Sequence, residues 1–468
     1  MFRKEHMQKN CSLKTCVLMA VAIPAAAVHA DGLDYALGAD LRIRQELINN
    51  VPGCPGGGLV NPSPRSDFAN HMRFRPRVWG EVSGVTESEA TWRLYTRLAD
   101  EFRWCPEPHK HAQTFPGELI IDNLFVEGKG LFDGLLDLRV GRQDLYGYCG
   151  LDHIFFDGTP GDGSRTVYSD MATFKFHVDE VSTVDLFGLY NFDETDVRWG
   201  TKRSKHTPLT GMGGGAEPDM DDWGVGAIWG SEFAEWLPYQ VFVLQKTTHE
   251  FKRGGVEHPW KQREVVGTKL MPQIDEEWSL QLEAMGQVGN DEDHHTLAGW
   301  STYSGVNWKS ATESSIKPFA SLGYHFMSGD KNTADEDGGD SAWDPLWYRG
   351  INDSEMFLYG SLYGVAWWSN MHMPKLTAGA NLGRAHRIAA YAGPMFAAAR
   401  DGVGGGDGYF KGFITQARYD FPIWLADKEK GERFEVVGHV LAEFFNPGDY
   451  YETDKPAFFF RWQVDFRF

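Results

Sequence analysis

The end of the chain alternates strictly between apolar and polar residues. On one face of an extended strand it would carry apolar side chains only, namely Phe460, Trp462, Val464, Phe466 and Phe468. The opposite face would carry Arg461, Gln463, Asp465 and Arg467. A period of two residues is typical of a β-strand that has one apolar and one polar side. This part of the chain is therefore predicted to separate an apolar environment from a polar one.

The same alternation recurs along the whole chain, with clusters of Gly, Pro, Asn and Asp between the segments. We count about nineteen candidate strands of roughly ten residues, the length that a tilted strand needs to cross a bilayer. Single-chain barrels of bacterial outer membranes have an even number of strands, so we predict about sixteen to eighteen and favour eighteen. The predicted fold class is all-β, a closed antiparallel transmembrane β-barrel.

Composition agrees with this prediction. The mean hydropathy is −0.40, and beyond the N-terminus no stretch approaches the roughly 20 apolar residues that a membrane helix needs. Hydropathy does not exclude a barrel, because lipid-facing and lumen-facing residues alternate and their contributions cancel. The 53 glycines and 17 tryptophans suit short strands, tight turns and aromatic girdles.

Connections between the predicted strands alternate between short and long. Ser83–Ser88 and Gly130–Gly134 are short, whereas Asn50–His71, Pro106–Glu118 and Gly147–Arg165 are long. In outer-membrane barrels the short turns face the periplasm and the long loops face the outside. The alternation thus predicts both the strand order and its orientation in the membrane.

Residues 1–30 have the features of a secretory signal peptide, with a positive start, a short apolar core and Val28-His29-Ala30 before a cleavage site. The barrel would then span residues 31–468. Export favours disulfides, and three cysteines lie in or beside predicted outer loops. Cys54 with Cys105 is the favoured pair, and Cys105 with Cys149 is the alternative.

Arginine dominates the face opposite the lipid-facing residues. In a closed barrel the first and last strands are neighbours, so one sector of the inner wall would be basic. Several guanidinium groups at a constriction give anion selectivity. The alternative is that they pair with Glu46, Glu101, Asp122, Glu127 and Asp137. The predicted pore-lining arginines are Arg42, Arg44, Arg73, Arg75, Arg77, Arg93, Arg97, Arg139, Arg461 and Arg467.

The formal net charge of −20 does not exclude a basic pore. Acidic residues concentrate in predicted outer loops, at positions 291–293, 335–337 and 340, and salt screens their field over about 8 Å. His294-His295 beside these acids is interpreted as loop surface, with a weak metal site as the alternative. No nucleophile–base spacing is present, so we expect no catalytic residue, no metal and no cofactor.

Three passages carry a resemblance to the alginate export family of outer-membrane proteins. They are Val140–Leu145, Gly163–Thr166, and Ser328–Asp330 followed by Trp343–Leu346. Their order and spacing along the chain agree with the family. The resemblance implies an eighteen-stranded monomeric barrel with an arginine-rich constriction that passes a polyuronate.

By that similarity Arg142 and Arg165 are candidate pore residues, and Arg461 is a lumen-facing position of the last strand. Arg142, however, shares the parity of Leu138 and Val140. Either a β-bulge turns it inward or it lies above the membrane band.

The leading hypothesis is an outer-membrane channel of a Gram-negative bacterium that passes an anionic polysaccharide or its oligomers. The alternatives are a general anion-preferring porin or an oligosaccharide uptake porin and, less favoured, an outer-membrane enzyme or an adhesion barrel. Expected partners are the saccharide, outer-membrane lipid, the assembly machinery that reads the aromatic chain end and, for export, a periplasmic scaffold. Nucleic acid is not expected. The direction of transport and the identity of the polymer stay open.

Overall fold

Eighteen antiparallel strands form one closed barrel. The computed structural model describes residues 27–30, 32–50, 68–100, 102–107, 111–112, 119–143, 169–191, 222–232, 234–253, 256–330, 339–344, 346–347, 369–400, 405–427, 429 and 432–468. The strands are β1 (Leu33–Asn49), β2 (Phe68–Val85), β3 (Thr91–Ala99), β4 (Ile120–Gly130), β5 (Leu136–Gln143), β6 (Ser169–His177), β7 (Ser182–Asn191), β8 (Asp222–Ser231), β9 (Tyr239–Thr248), β10 (Lys261–Leu270), β11 (Trp278–Asp291), β12 (Thr296–Lys309), β13 (Ile316–Met327), β14 (Met371–Leu382), β15 (His386–Phe396), β16 (Phe410–Trp424), β17 (Glu435–Pro447) and β18 (Ala457–Arg467).

Every strand pairs with its neighbours in sequence, and β1 closes the barrel by pairing with β18. This closing register runs from Asp40 opposite Arg467 to Asn49 opposite Phe458. A closed sheet leaves no edge strand with unpaired N–H and C=O groups, which hydrocarbon cannot solvate. The predicted fold class and the favoured strand number are confirmed.

A few short elements lie beside these strands. Phe102–Glu107 follows β3 and pairs with β2, and Ala27–Ala30 pairs with the start of β1. His111–Ala112 pairs with Phe102–Glu107, Phe251–Arg253 forms a hairpin with Val256–His258, and Leu131–Gly134 is one helical turn. Within the described residues no helix is long and apolar enough to cross a membrane. Residues 1–26 lie outside the described residues, so the signal peptide stays a prediction.

The predicted faces of the strands are confirmed. On β18, Phe459, Arg461 and Gln463 are buried on the inside, while Phe458 on the other face is 40% exposed. On β14 the outward-facing Leu376 is 58% exposed. Such outward apolar side chains form the surface that contacts lipid.

The connections follow the predicted alternation. At one end of the barrel they have three to ten residues, as at 383–385 and 425–434. At the other end most are longer, up to the 43 residues between β13 and β14, with the four-residue turn at 292–295 and the nine-residue connection at 448–456 as the exceptions. By the rule for outer-membrane barrels the short turns face the periplasm.

The inner wall has two different halves. From β18 through β1 to β5 it carries mainly charged side chains. From β6 to β17 it carries a buried apolar cluster that includes Phe187, Phe242, Met285, Met373 and Phe445, with separate buried charges such as Lys269 and Glu283 among them. The lumen is thus chemically asymmetric around its circumference.

Adjacent residues of β14 test the assignment of faces. We expect Leu376→Arg to lower the free energy of unfolding in lipid vesicles by about 2–4 kcal/mol, the cost of a cation on the lipid face near the bilayer midplane. Thr377→Arg places the same side chain in the lumen and should change the free energy of unfolding by less than about 1 kcal/mol. Equal losses in urea titrations of the two variants would contradict the assignment.

Candidate functional site

Three arginines from three neighbouring strands meet at the carboxylate of Glu46 on the inner wall. Arg461 Nη2 donates to Oε1 at 2.7 Å, and Arg73 Nη1 donates to Oε2 at 3.2 Å. Arg44 Nε lies 3.3 Å from Oε1. All four residues are at most 2% exposed. We call these residues the Glu46 cluster, and its charge-assisted bonds join β18, β1 and β2.

A second group of arginines lies nearer the short-turn end of the same strands. Arg77 Nε is 2.8 Å from Asp40 Oδ2, and Arg75 Nη2 is 3.7 Å from Asp40 Oδ1. Arg42 Nε lies 3.4 Å from Asp465 Oδ1. The side chains of Arg42 and Arg77 are 13% and 16% exposed, so this group is closer to water than the Glu46 cluster.

These two groups bring like charges together. Arg44 stands directly opposite Arg73, and Arg42 directly opposite Arg75. Like charges at directly opposite positions destabilise a sheet unless counter-charges intervene. Among the ion pairs between described residues, these six arginines contact Asp40, Glu46 and Asp465. Guanidinium groups are thus concentrated on this part of the wall, and an anion in the lumen would lower their mutual repulsion.

The basic sector continues on β3 to β5. Arg97 Nε donates to the two oxygens of Asp122 at 2.9 and 3.1 Å. Asp122 faces inward because it is the extra residue of a β-bulge opposite Arg97. Arg93 Nη2 is 2.9 Å from Glu127, and Arg139 Nε donates to the same carboxylate at 2.9 Å. The side chains of Arg93 and Arg139 are 33% and 32% exposed, which leaves them accessible from the lumen.

The predicted basic sector and the predicted pairing with carboxylates therefore both occur. Of the predicted partners, Glu46, Asp122 and Glu127 bind arginines, whereas Asp137 Oδ2 lies 3.2 Å from His177 Nε2. Glu101 lies outside the described residues. At the short-turn end Arg467 is 57% exposed and lies 3.8 Å from Glu435.

Arg142 does not face the lumen, so its prediction as a pore residue is wrong. Its register partner on β4 is Leu124, and Val140 two residues earlier is 46% exposed on the outer face. Its Nε and Nη2 donate to the two oxygens of Asp170 at 2.9 and 3.1 Å. The register of β5 is regular here, so no bulge turns Arg142 inward.

Four other predicted positions have no described environment. Arg165, Cys54 and Cys149 lie outside the described residues. Cys105 lies in the described segment Phe102–Glu107, and its pairing in a disulfide stays a prediction.

A segment of the connection between β13 and β14 lies against the inner wall, which the sequence did not indicate. We call residues 339–344 and 346–347 the inner segment. Asp344 Oδ2 is 3.2 Å from Arg263 Nε, and the Leu346 carbonyl accepts a bond from Lys246 Nζ at 2.9 Å. The Gln287 side chain donates to the Asp344 carbonyl at 2.6 Å and accepts from its N–H at 3.0 Å.

Aromatic packing adds to these polar bonds. Trp343 and Trp347 are 1% and 7% exposed. The Trp347 ring meets Phe187 edge to face at 6.3 Å between centroids. It also covers Gly224, where a Cβ atom would come within 2.3 Å of the indole. A glycine is therefore required at this position of β8 for the indole to reach the wall.

The sequence did not predict the basic residues that hold the inner segment, because their strands do not alternate in polarity. On β9 the inner face carries Phe242, Leu244 and Lys246, and the outer face carries Val241 and Val243. Apolar residues on both faces hide the period of two. Asp340 lies in a long connection, as predicted, but it also contacts the inner wall, since its Oδ2 lies 3.3 Å from Arg263 Nη2.

Asp291 was likewise predicted as loop acid, but it is the last residue of β11 and is buried. It accepts hydrogen bonds from the His295 N–H at 2.9 Å and the Asp293 N–H at 3.1 Å. Its Oδ2 lies 3.0 Å from His295 Nδ1. Among the described residues no group of three or more His, Cys, Asp or Glu could hold a metal ion.

Glu46 should be essential for stability because it separates three buried arginines. We expect Glu46→Gln to lower the free energy of unfolding by about 3–5 kcal/mol, since it leaves buried cations uncompensated. Glu435→Gln on the neighbouring strand β17 removes only the exposed pair with Arg467 and should cost less than about 1 kcal/mol. Urea titration in vesicles measures both, and similar values for the two variants would contradict this role.

The bond between Asp344 and the wall should depend on pH. Burial disfavours the Asp344 carboxylate, but Lys246, Arg263 and the Leu346 N–H outweigh it and lower its pKa to about 2. A depressed pKa stabilises the docked segment above the carboxyl's ordinary value of about 4, and this stabilisation is lost as pH falls towards 2. Single-channel conductance should change over that range. Asp344→Asn should remove the change, and an unaltered pH profile in this variant would contradict the assignment.

The whole barrel is similar to solved structures of outer-membrane porins. OccK7 (OpdD) of Pseudomonas aeruginosa has a TM-score of 0.52 at 10% identity, covering 93% of this chain and 98% of that chain. OccAB4 of Acinetobacter baumannii has a TM-score of 0.51 at 8% identity, covering 92% and 98%, and OccK11 (OpdR) of P. aeruginosa has 0.50 at 12% identity, covering 92% and 95%. Comparisons with protein-family models and with curated protein sequences give no match. At these identities the likeness concerns the fold alone, a closed antiparallel β-barrel.

Proposed function

We propose that this chain is a channel for anionic solutes, and that its solute is an anionic polysaccharide or its oligomers of the alginate-like, polyuronate type. The observation that carries the proposal is the inner wall of β18, β1 and β2, where six guanidinium groups are concentrated on three neighbouring strands. Several arginines on one part of a channel wall favour anions in the lumen.

The arrangement of the arginines suits an extended anion. Arg73, Arg75 and Arg77 occupy alternate positions of β2 and so lie roughly 7 Å apart along the strand. The side chain of Arg77 is 16% exposed, whereas those of Arg73 and Arg75 are at most 3% exposed. A solute with repeated carboxylates would therefore contact Arg77 directly and feel Arg73 and Arg75 through their field. Each guanidinium offers a planar fork that fits a carboxylate. The resemblance to the alginate export family supports the sugar acid as the unit that repeats.

Transport by such a wall requires binding that is weak enough for release. The carboxylates already present provide this weakness, because Asp40, Glu46 and Asp465 compete with the solute for the same guanidinium groups. No chemical step is needed, so the proposal is a passive channel without a catalytic residue or cofactor.

Reversal potentials in planar bilayers test the proposal. Purified protein under a KCl gradient should prefer anions, and polyuronate should block the current. In Arg42→Gln/Arg77→Gln the ratio of anion to cation permeability should fall by about threefold or more, since a charge a few ångströms away changes an ion's energy by about 1 kcal/mol even in water. Cation preference in the unaltered protein, with no block by polyuronate, would overturn the proposal.

A control variant distinguishes the effect of the basic sector from the effect of the net charge of the lumen. Arg387 lies on the inner face of β15, outside the basic sector, with its guanidinium 5.1 Å from the Phe319 ring centre. We expect Arg387→Gln to change the permeability ratio less than the double variant does. An equal effect would mean that selectivity follows net lumen charge and not the wall of β18, β1 and β2.

The inner segment favours a second candidate, an anion-preferring porin for small solutes. Asp344 and Trp347 hold this segment inside the barrel, where it occupies part of the cross-section. Flux into proteoliposomes distinguishes the two candidates. A polysaccharide channel passes uronate oligomers of increasing length, whereas a small-solute porin passes glucuronate and is blocked by longer oligomers.

A further inference from the structure

Three aromatic rings stack in a row on the inner wall of β2, β3 and β4. Trp79, Tyr95 and Phe125 each come from a different strand. Their ring centres are 6.1 Å apart between Trp79 and Tyr95 and 5.2 Å apart between Tyr95 and Phe125, with planes inclined by 25° in each pair. These values describe offset stacking, and we call the row of three rings the aromatic platform.

The end of the platform packs against β1. Gly38 on β1 is the direct register partner of Trp79, and a Cβ atom on Gly38 would come within 2.3 Å of the indole ring. The indole therefore occupies the space above the Gly38 backbone, and a larger side chain at this position would displace it.

The platform differs from the other aromatic residues of the inner wall. Phe187, Phe242 and Trp347 belong to the buried apolar cluster. Trp79 and Tyr95 belong to neither of the buried apolar clusters and are half-buried, whereas Phe125 is only 6% exposed. Exposed aromatic surface on an otherwise polar wall is typical of a ligand-binding site.

Two accessible cations border the platform. The Arg139 guanidinium carbon lies 4.8 Å from the Phe125 ring centre. That of Arg93 lies 5.2 Å from Phe125 and 5.7 Å from Tyr95. Both arginines share the carboxylate of Glu127, and Arg93 Nη1 also lies 3.5 Å from Glu81 Oε2. Both guanidinium groups keep about a third of their side-chain surface accessible, so a solute carboxylate can compete for them.

We propose that the aromatic platform with Arg93 and Arg139 is a subsite for one uronic-acid unit. The electron-rich face of an aromatic ring attracts the C–H groups of a sugar ring, and a guanidinium binds its carboxylate. A small inorganic anion would use only the arginines, and a neutral sugar would use only the rings. The combination of both selects an acidic saccharide. This inference rests on the proposed function and deepens it.

Calorimetric binding to the full-length barrel in detergent tests the subsite with three probes of equal length. They are a uronate of six units, a glutamate peptide of six residues that has the charge without sugar rings, and neutral maltohexaose. We expect the uronate to bind more tightly than either of the other two. Tyr95→Leu removes a ring, and Gly38→Leu displaces the indole from the wall while keeping every ring and charge.

Both variants should weaken uronate binding by about two- to tenfold, the range of one aromatic contact, and leave binding of the glutamate peptide unchanged. Tyr303→Leu, on the inner wall of β12 outside the platform, should change neither. Heat-dependent electrophoretic mobility verifies that each variant is folded. The subsite is overturned if Tyr95→Leu and Gly38→Leu leave uronate binding unchanged, or if they weaken binding of the glutamate peptide equally.

The outcome is separable from that of the proposed function. If the unaltered channel prefers anions but the platform variants bind uronate normally, only the subsite proposal is contradicted. If the unaltered protein shows no anion preference in bilayers, the channel proposal is contradicted. Calorimetry would still decide whether the platform binds an acidic saccharide.

Discussion

Pairing of β1 with β18 is the constraint on which the rest of the structure depends. It closes the sheet, so every strand has two hydrogen-bonded neighbours in an environment without water to replace them. The same pairing brings Arg461 to Glu46, residues 415 positions apart in the chain. The Glu46 cluster joins β18 to β1 and β1 to β2. Its ion pairs and the backbone hydrogen bonds therefore stabilise the same strand pairs.

The inner wall differs in chemistry around its circumference. From β18 to β5 it carries arginines that bind carboxylates, together with the aromatic platform. From β6 to β17 its buried apolar side chains pack against one another and against Trp343 and Trp347 of the inner segment. This apolar burial and three polar attachments, to Lys246, Arg263 and Gln287, hold the segment on the half of the wall outside the basic sector of β18 to β5.

Arginine exposure is graded within the basic sector. Arg44, Arg73 and Arg461 are almost completely buried and bind one carboxylate, so their first role is to hold three strands together. Arg93 and Arg139 keep about a third of their side-chain surface accessible. A solute would therefore meet the accessible arginines directly and feel the buried ones through their field, which a low-dielectric wall transmits well.

The sequence alone determined the closed barrel, the faces of its strands and the basic sector, because a period of two residues fixes which side chains share a face. Phe466 and Arg467 could be assigned to opposite sides without any contact information. What only the tertiary structure decided is how the faces interact across strands. Glu46 joins three arginines, Asp122 turns inward at a bulge, Arg142 turns outward onto Asp170, and the inner segment docks on Arg263. Each depends on register, or on a loop folding back over the sheet, and neither leaves a periodic signal in a single sequence.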